Sequence, residues 1–348
     1  MNKVACPALN ESRSGPVRIG VIGGGSIARA HLNAYNQLPE LAEVTALCDV
    51  DPRAAESRRV EFSLDADLVT DLSELCGRGD VDAVDICLPI RVHLDAILAA
   101  AKTRKHVLVE KPMTLNLDEA KTAVRAARES GITLMVAHDQ RFRPRHMIMK
   151  DLIPRLGKIV CARADINQDA QSIFPPGHWH LEHRGSLLAI GVHVLDLLRY
   201  LLGDVKQVSC FERNRLVRMR GNDVAVAILE FDCGAVGTLM CTWASKGSPW
   251  HDSIILQGSL GACHTIGGLF IKEGDAPFAR VEVEDDTKGE WRFRSSYREE
   301  IRHFLECLRD GKTPMTCGED NLKTMAAIEA MFLSSREDRA IRIADMLG

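Results

Sequence analysis

Short apolar runs rich in Val, Ile and Leu punctuate the first 140 residues, at 17–22, 44–48, 81–87, 106–110 and 132–136, with a weaker one at 67–70. Between them apolar positions recur at helical spacing over 27–37, 53–61, 92–103 and 117–129, and Gly131 supplies a stop for the last. Continuous apolar strands alternating with amphipathic helices predict a parallel sheet covered on both faces, a doubly wound α/β domain. After Arg145 the rhythm changes. One long helical pattern, 185–202, precedes alternating runs near 205–213, 223–232, 235–243, 252–257 and 278–285, with Gly or Asp turns between them. That pattern predicts a largely antiparallel sheet in a second, α+β domain, and helical stretches at 297–310 and 319–335 close the chain. The expected organisation is a flexible tail at 1–16, a doubly wound α/β domain at 17–140, and an α+β domain at 141–348.

Composition narrows the classes. With 348 residues, 46% hydrophobic and 26% charged, the chain can bury the cores of two domains. A net charge of −4 without a long basic run argues against nucleic acid or an anionic membrane as partner. The 11 cysteines include no C-x-x-C pair and describe no disulfide framework, which points to a reducing compartment. The stretch Met1–Pro16 lacks the apolar segment of a signal peptide, and no run approaches the ~20 apolar residues needed to span a bilayer. A cytoplasmic protein is expected.

The first apolar run ends in Gly23-x-Gly25-x-x-Ala28, and the second ends on Asp49, 21 positions after Ala28. Glycines at such a turn let backbone amides approach a pyrophosphate at a helix N-terminus, here that of Ser26 and Ile27. A carboxylate at the next strand end accepts hydrogen bonds from the adenosine ribose and repels a 2′-phosphate, so Asp49 favours NAD over NADP. Arg53 leaves NADP open if it pairs with a 2′-phosphate; its plainer reading is a solvated helix residue.

Glu110-Lys111-Pro112 closes the fifth run, at the carboxyl edge where open α/β sheets bind ligands. The proline permits a cis bond that would swing Lys111 into a cleft, and the plainer reading is a surface lysine before a loop. Further on, His193 and Asp196 lie three residues apart on one face of an otherwise apolar helix. A neutral imidazole there suits removal of a hydroxyl proton, although a histidine in such a place is commonly a satisfied core residue. His178, His180 and His183 cluster around Trp179; without a carboxylate or cysteine at fixed spacing they read as a substrate-facing loop and no metal is expected. Arg141, in Asp139-Gln140-Arg141-Phe142, meets the cofactor or substrate, or simply starts a solvated helix.

Together with Leu88-Pro89 and the His93 that follows, these motifs resemble the glucose-fructose oxidoreductase, inositol dehydrogenase and rhizopine-catabolism (Gfo/Idh/MocA) family. The resemblance runs from about Val17 to the C-terminus, and Glu110-Lys111-Pro112 followed by Gly191-x-His193-x-x-Asp196 is its specific part. It implies a Rossmann domain, a C-terminal domain with an open, mostly antiparallel sheet, and NAD(P)-dependent oxidation or reduction of a sugar or cyclitol hydroxyl by a homodimer or homotetramer. It assigns Lys111 to nicotinamide ribose and substrate, and His193 to proton transfer. Leu88, Pro89, His93, Glu110 and Arg141 join the cofactor site; Trp179, His180 and Asp196 join the substrate site. One departure stands out. Many members carry an aspartate four residues before the histidine, where this chain has Ala189; Asp165 or Asp169 would have to substitute, or His193 works with Lys111 alone. The departure keeps two other readings in view: a non-catalytic dinucleotide-binding sensor, and an enzyme using tightly held NAD for transient oxidation in an elimination or epimerisation.

Overall fold

The computed structural model describes residues 15–247, 252–283, 290 and 294–348. All of the expected N-terminal tail except Gly15 and Pro16 lies outside the described residues. The chain forms two compact units, one of residues up to 142 with 286–321, the other of 143–285 with 322–348.

In the first unit β1 (Val17–Ile22), β2 (Ala42–Cys48), β3 (Asp67–Val69), β4 (Ala83–Ile86), β5 (His106–Glu110) and β6 (Leu134–Ala137) alternate with α1 (Ser26–Asn36), α2 (Pro52–Glu61), α3 (Leu72–Gly77), α4 (His93–Lys102) and α5 (Leu117–Ser130). The strands are parallel in the order β3-β2-β1-β4-β5-β6, the doubly wound arrangement whose direction reverses between β1 and β4. β4, β5 and β6 are buried along their whole length, which is why they read as unbroken apolar runs. Gly131 ends α5 in the left-handed conformation, φ +66°, as its position suggests. The sequence pattern does not reveal α3, because six residues are too short to show a period. Its signal was the cap: the Asp71 side chain accepts the Glu74 N–H at 2.9 Å.

A single boundary at 140/141 does not describe this unit. α9 (Ser295–Asp310) follows most of the second unit in sequence, yet its Tyr297, Ile301, Phe304, Leu305 and Leu308 belong to the same buried cluster as Ala28, Leu32 and Tyr35 of α1. Apolar periodicity announces a buried face without saying which sheet buries it.

The second unit carries α6 (Pro144–Leu152), β7 (Ile159–Asn167), α7 (Ala170–Ile173), α8 (Val192–Leu202), β8 (Val205–Arg213), β9 (Val224–Phe231), β10 (Val236–Thr242), β11 (Asp252–Gly258), β12 (Gly261–His264), β13 (Leu269–Glu273), β14 (Ala279–Val281), β15 (Ile341–Arg342) and α11 (Ala344–Leu347). The boundary between units falls within α10 (Gly318–Glu337). The sheet order is β14-β13-β12-β11-β7-β10-β9-β8-β15, antiparallel except between β7 and β10. β7 escapes the sequence pattern because exposed Val160 and buried Asp165 and Asn167 break its alternation. The run expected at 278–285 is a strand only over Ala279–Val281, and residues 284–285 lie outside the described residues. The long helix expected over 185–202 begins instead as a π turn, Leu187–Gly191, before α8.

Candidate active site

β1 leads directly into Gly23. Its φ is +103°, and a Cβ there would stand 2.5 Å from the carbonyl oxygen of Cys87, so glycine is required. Gly25 is different. A Cβ on it would meet nothing within 4 Å, and it caps α1 with no side-chain hydrogen bond and no acidic residue in the first turn. The space it leaves lies before the first-turn amides of Ser26 and Ile27, and donors aimed into open space at a helix N-terminus fit a pyrophosphate. Ala28 is fully buried, which lets α1 sit close to the sheet. At the end of β2 the Asp49 carboxylate accepts the Gly24 N–H at 2.7 Å and the Asp51 N–H at 2.8 Å. Arg53 turns to Asp51, Nε to Oδ1 at 3.1 Å, with its side chain 90% exposed.

Beyond the switch point, Leu88 and Pro89 follow β4 half-buried, and Lys111 follows β5, also half-buried. The Lys111–Pro112 bond is cis. Burial pulls the Lys111 ammonium below the usual lysine range, opposed by the charges of Glu110 and Asp139. Three residues expected to touch cofactor also hold hydrogen bonds within the protein. His93 is 1% exposed, with Nε2 2.8 Å from the Leu88 carbonyl oxygen and Nδ1 3.0 Å from that of Pro112, so it ties the two loops together. Glu110 is buried, and its Oε2 accepts the Lys111 N–H at 2.9 Å. Arg141 is buried; its Nη2 donates to Asp320 Oδ2 at 2.7 Å and its Nη1 to the Met315 carbonyl oxygen at 3.2 Å. Buried guanidinium groups need such partners, and that need decides where Arg141 points.

In the second unit Gly191 lies against β10, where a Cβ would come within 3.0 Å of Cys241 Sγ. The π turn that ends on it leads into α8, which presents His193 half-buried. Asp196 is not on the open side. It is 1% exposed and accepts the Thr324 hydroxyl at 3.1 Å, so its expected place in the substrate site gives way to one in the core. Trp179 and His180 are half-buried in an aromatic stack: His180 lies 4.4 Å from Phe174 between ring centroids, 11° off parallel, and 3.6 Å from Trp179. Asp165 is buried against Arg163 and Ser253, whereas Asp169 remains part-exposed beside Ser172.

Sequence reasoning missed a buried set in the first unit. His31, Asp85 and Cys87 bring metal-ligating atoms within 4.8 Å of one another, with Glu110 on the other side of the imidazole and Glu300 of α9 also fully buried. The signal was present: Asp85 interrupts an otherwise apolar run on a strand buried on both faces.

A family model described as "Oxidoreductase family, NAD-binding Rossmann fold" matches residues 17–138, and the GFO/IDH/MocA C-terminal domain matches 149–264. The chain is 30% identical to scyllo-inositol 2-dehydrogenase (NAD(+)) of Bacillus subtilis over 321 residues, 87% of this chain and 90% of that protein. It is 26% identical to D-apiose dehydrogenase of Paraburkholderia graminis over 94% of this chain and 89% of that one. An oxidoreductase from Agrobacterium radiobacter, solved with NAD+, L-tartaric acid and magnesium, shares the fold with a TM-score of 0.86 at 24% identity, over 95% of this chain and 99% of that one.

Proposed function

This chain belongs to the Gfo/Idh/MocA oxidoreductase family, and from that premise we propose how it works. It is an NAD-dependent oxidoreductase that moves a hydride between nicotinamide and a secondary hydroxyl of a sugar, sugar derivative or cyclitol. The observation that carries the reading is the conjunction, in one unit, of an open glycine turn with Lys111 at the carboxyl end of β5. When bound, the dinucleotide supplies the hydride acceptor. Gly23 lets the turn pass close to the Cys87 carbonyl, Gly25 leaves room for its pyrophosphate, the α1 amides bind it, and Asp49 takes the ribose hydroxyls and disfavours a 2′-phosphate. His193 accepts the hydroxyl proton, and Lys111 offsets the charge that develops on the oxygen. Trp179 and His180 offer an amphipathic surface to the substrate. A screen of sugars and cyclitols with NAD and NADP, following absorbance of the reduced cofactor, tests this; no turnover across the screen overturns it.

The finer readings concern partners and place. One face of the second unit's sheet exposes Phe211 (63%), Val226 (42%), Ile228 (56%) and Val236 (49%), a patch that supports pairing with a second copy of the chain. Light scattering on wild type and on Ile228→Lys decides whether that face holds a homodimer or homotetramer. The ten cysteines among the described residues form no disulfide with one another, which supports a reducing, cytoplasmic setting, and no described helix is long and apolar enough to cross a membrane.

A further inference from the structure

Behind Lys111 lies a set of ionisable groups that the proposed chemistry does not use. His31, on α1, is fully buried; its Nδ1 is 2.8 Å from Asp85 Oδ2 and its Nε2 is 3.2 Å from Glu110 Oε1. Tyr35 donates its hydroxyl to the same Asp85 oxygen at 3.1 Å, and Cys87 Sγ lies 3.6 Å from the other. Ionised carboxylates only accept, so each ring nitrogen must donate, and an imidazole with two N–H groups is a cation. Tyr297 packs near the ring at 6.0 Å between centroids, and Glu300 faces the set from α9. Neither Glu300 oxygen has a hydrogen-bond partner, and burial followed by the charge of Asp139 pushes its carboxyl well above the usual range, toward the neutral form. That leaves the imidazolium between two carboxylates. Burial is the largest single influence and opposes its charge, but the charges of Asp85 and Cys87 and the hydrogen bonds to them together hold His31 well above the usual histidine range.

The second oxygen of Glu110 connects this set to Lys111, accepting its backbone N–H at 2.9 Å. We propose that His31 is a positioning residue for Lys111 acting through Glu110: the ring pins one carboxylate oxygen so that the other fixes the lysine's backbone at the end of β5. The rotamer of an unpinned glutamate would be free to leave the Lys111 amide unsatisfied. Its effect on turnover rests on the dehydrogenase reading; its structural content does not.

The test therefore begins on the cofactor-free protein. In 15N-histidine-labelled wild type, with His31 identified by the signal lost in His31→Gln, both ring nitrogens should carry protons at neutral pH and above the usual histidine range. The Lys111 amide should exchange with solvent about tenfold faster in His31→Gln and in Glu110→Ala, and Asp85→Asn applies the same test from the far side of the ring if His31→Gln does not fold. In turnover, His31→Gln should lower kcat about tenfold while leaving the NADH Kd within about twofold, and adding it to Glu110→Ala should cost nothing further. A neutral ring near pH 7, unchanged Lys111 exchange, or losses that multiply in the double variant would each overturn the proposal. So would one equivalent of zinc in the purified protein that His31→Gln removes, because the imidazole would then be a ligand. A doubly protonated ring and responsive Lys111 exchange in a protein that turns over no polyol would instead sink the dehydrogenase reading and leave the clamp standing.

Discussion

The Asp49 carboxylate is the acceptor for the Gly24 amide, Oδ2 to N at 2.7 Å, so the residue expected to read the ribose also anchors the middle of the glycine turn. A Cβ at Gly24 would fall 2.8 Å from the Ala54 carbonyl carbon, so the turn is also wedged against α2. Asp49→Ala should therefore do two things. It should erode the preference for NAD over NADP by on the order of 1–3 kcal/mol, through loss of charge-assisted hydrogen bonds and of repulsion toward a 2′-phosphate, and it should weaken both cofactors by loosening the turn. Calorimetric titration separates the effects; wild type binding NADP more tightly than NAD would refute the assignment.

Lys111→Met should lower turnover by about 10²–10⁴-fold while leaving NAD affinity nearly intact, because the ammonium acts at the reacting hydroxyl and not on the adenosine end. A loss below about tenfold in a folded variant removes Lys111 from the chemistry. Its pH behaviour gives a second check. Burial lowers the lysine's proton affinity against the pull of Glu110 and Asp139, so a rate that needs the ammonium declines on the alkaline side earlier than an ordinary lysine would dictate.

For His193, replacement by Ala should abolish most alcohol oxidation without changing cofactor affinity. Ala189→Asp restores a carboxylate on the preceding π turn and would stabilise the imidazolium, moving the ionisation that controls oxidation to higher pH. The pH–rate profile of the Ala189→Asp variant should shift upward, and an unshifted profile combined with an active His193→Ala directs the search for the base to His180 and Asp169.

Glu300→Gln is expected to stabilise. The folded state raises this carboxyl's pKa, so folding holds a proton that the unfolded chain releases above its ordinary value of about 4.3. Stability is therefore full below that value and drains away as pH climbs toward the folded pKa. A neutral amide removes the drain. Urea midpoints of Glu300→Gln and wild type should nearly coincide at about pH 4 and separate at about pH 8, with the variant the more stable; equal midpoints at both would show that Glu300 ionises normally.

Much of the first unit was legible because a parallel sheet buried on both faces writes its strands as unbroken apolar runs, and Gly23, Gly25 and Asp49 punctuate their ends. Lys111 was legible for the same reason, at a strand's carboxyl edge. Side-chain commitments were not. Nothing in the local sequence says that Arg141 finds Asp320 or that Asp196 finds Thr324, since both partners come from α10, far along the chain. His93 and Glu110 occupy motif positions that invite a cofactor, yet His93 turns to carbonyls, and Glu110 to the His31 ring, that only folding brings near. The short strands β12 and β13 failed to register because pairing with neighbours, more than their own pattern, makes them strands.

The late arrival of α9 bears on how the protein is made. A ribosome releases the whole nucleotide-binding sheet long before it reaches Tyr297 and Leu308, and until then the cluster around Leu32 and Tyr35 lacks the part of its cover that α9 supplies. The nascent chain must carry that uncovered surface through the synthesis of nearly all of the second sheet. A fragment cut at residue 140 would be left in this unfinished state permanently, prone to self-association, whereas one that appends residues 286–321 through a linker would have the means to close its own core.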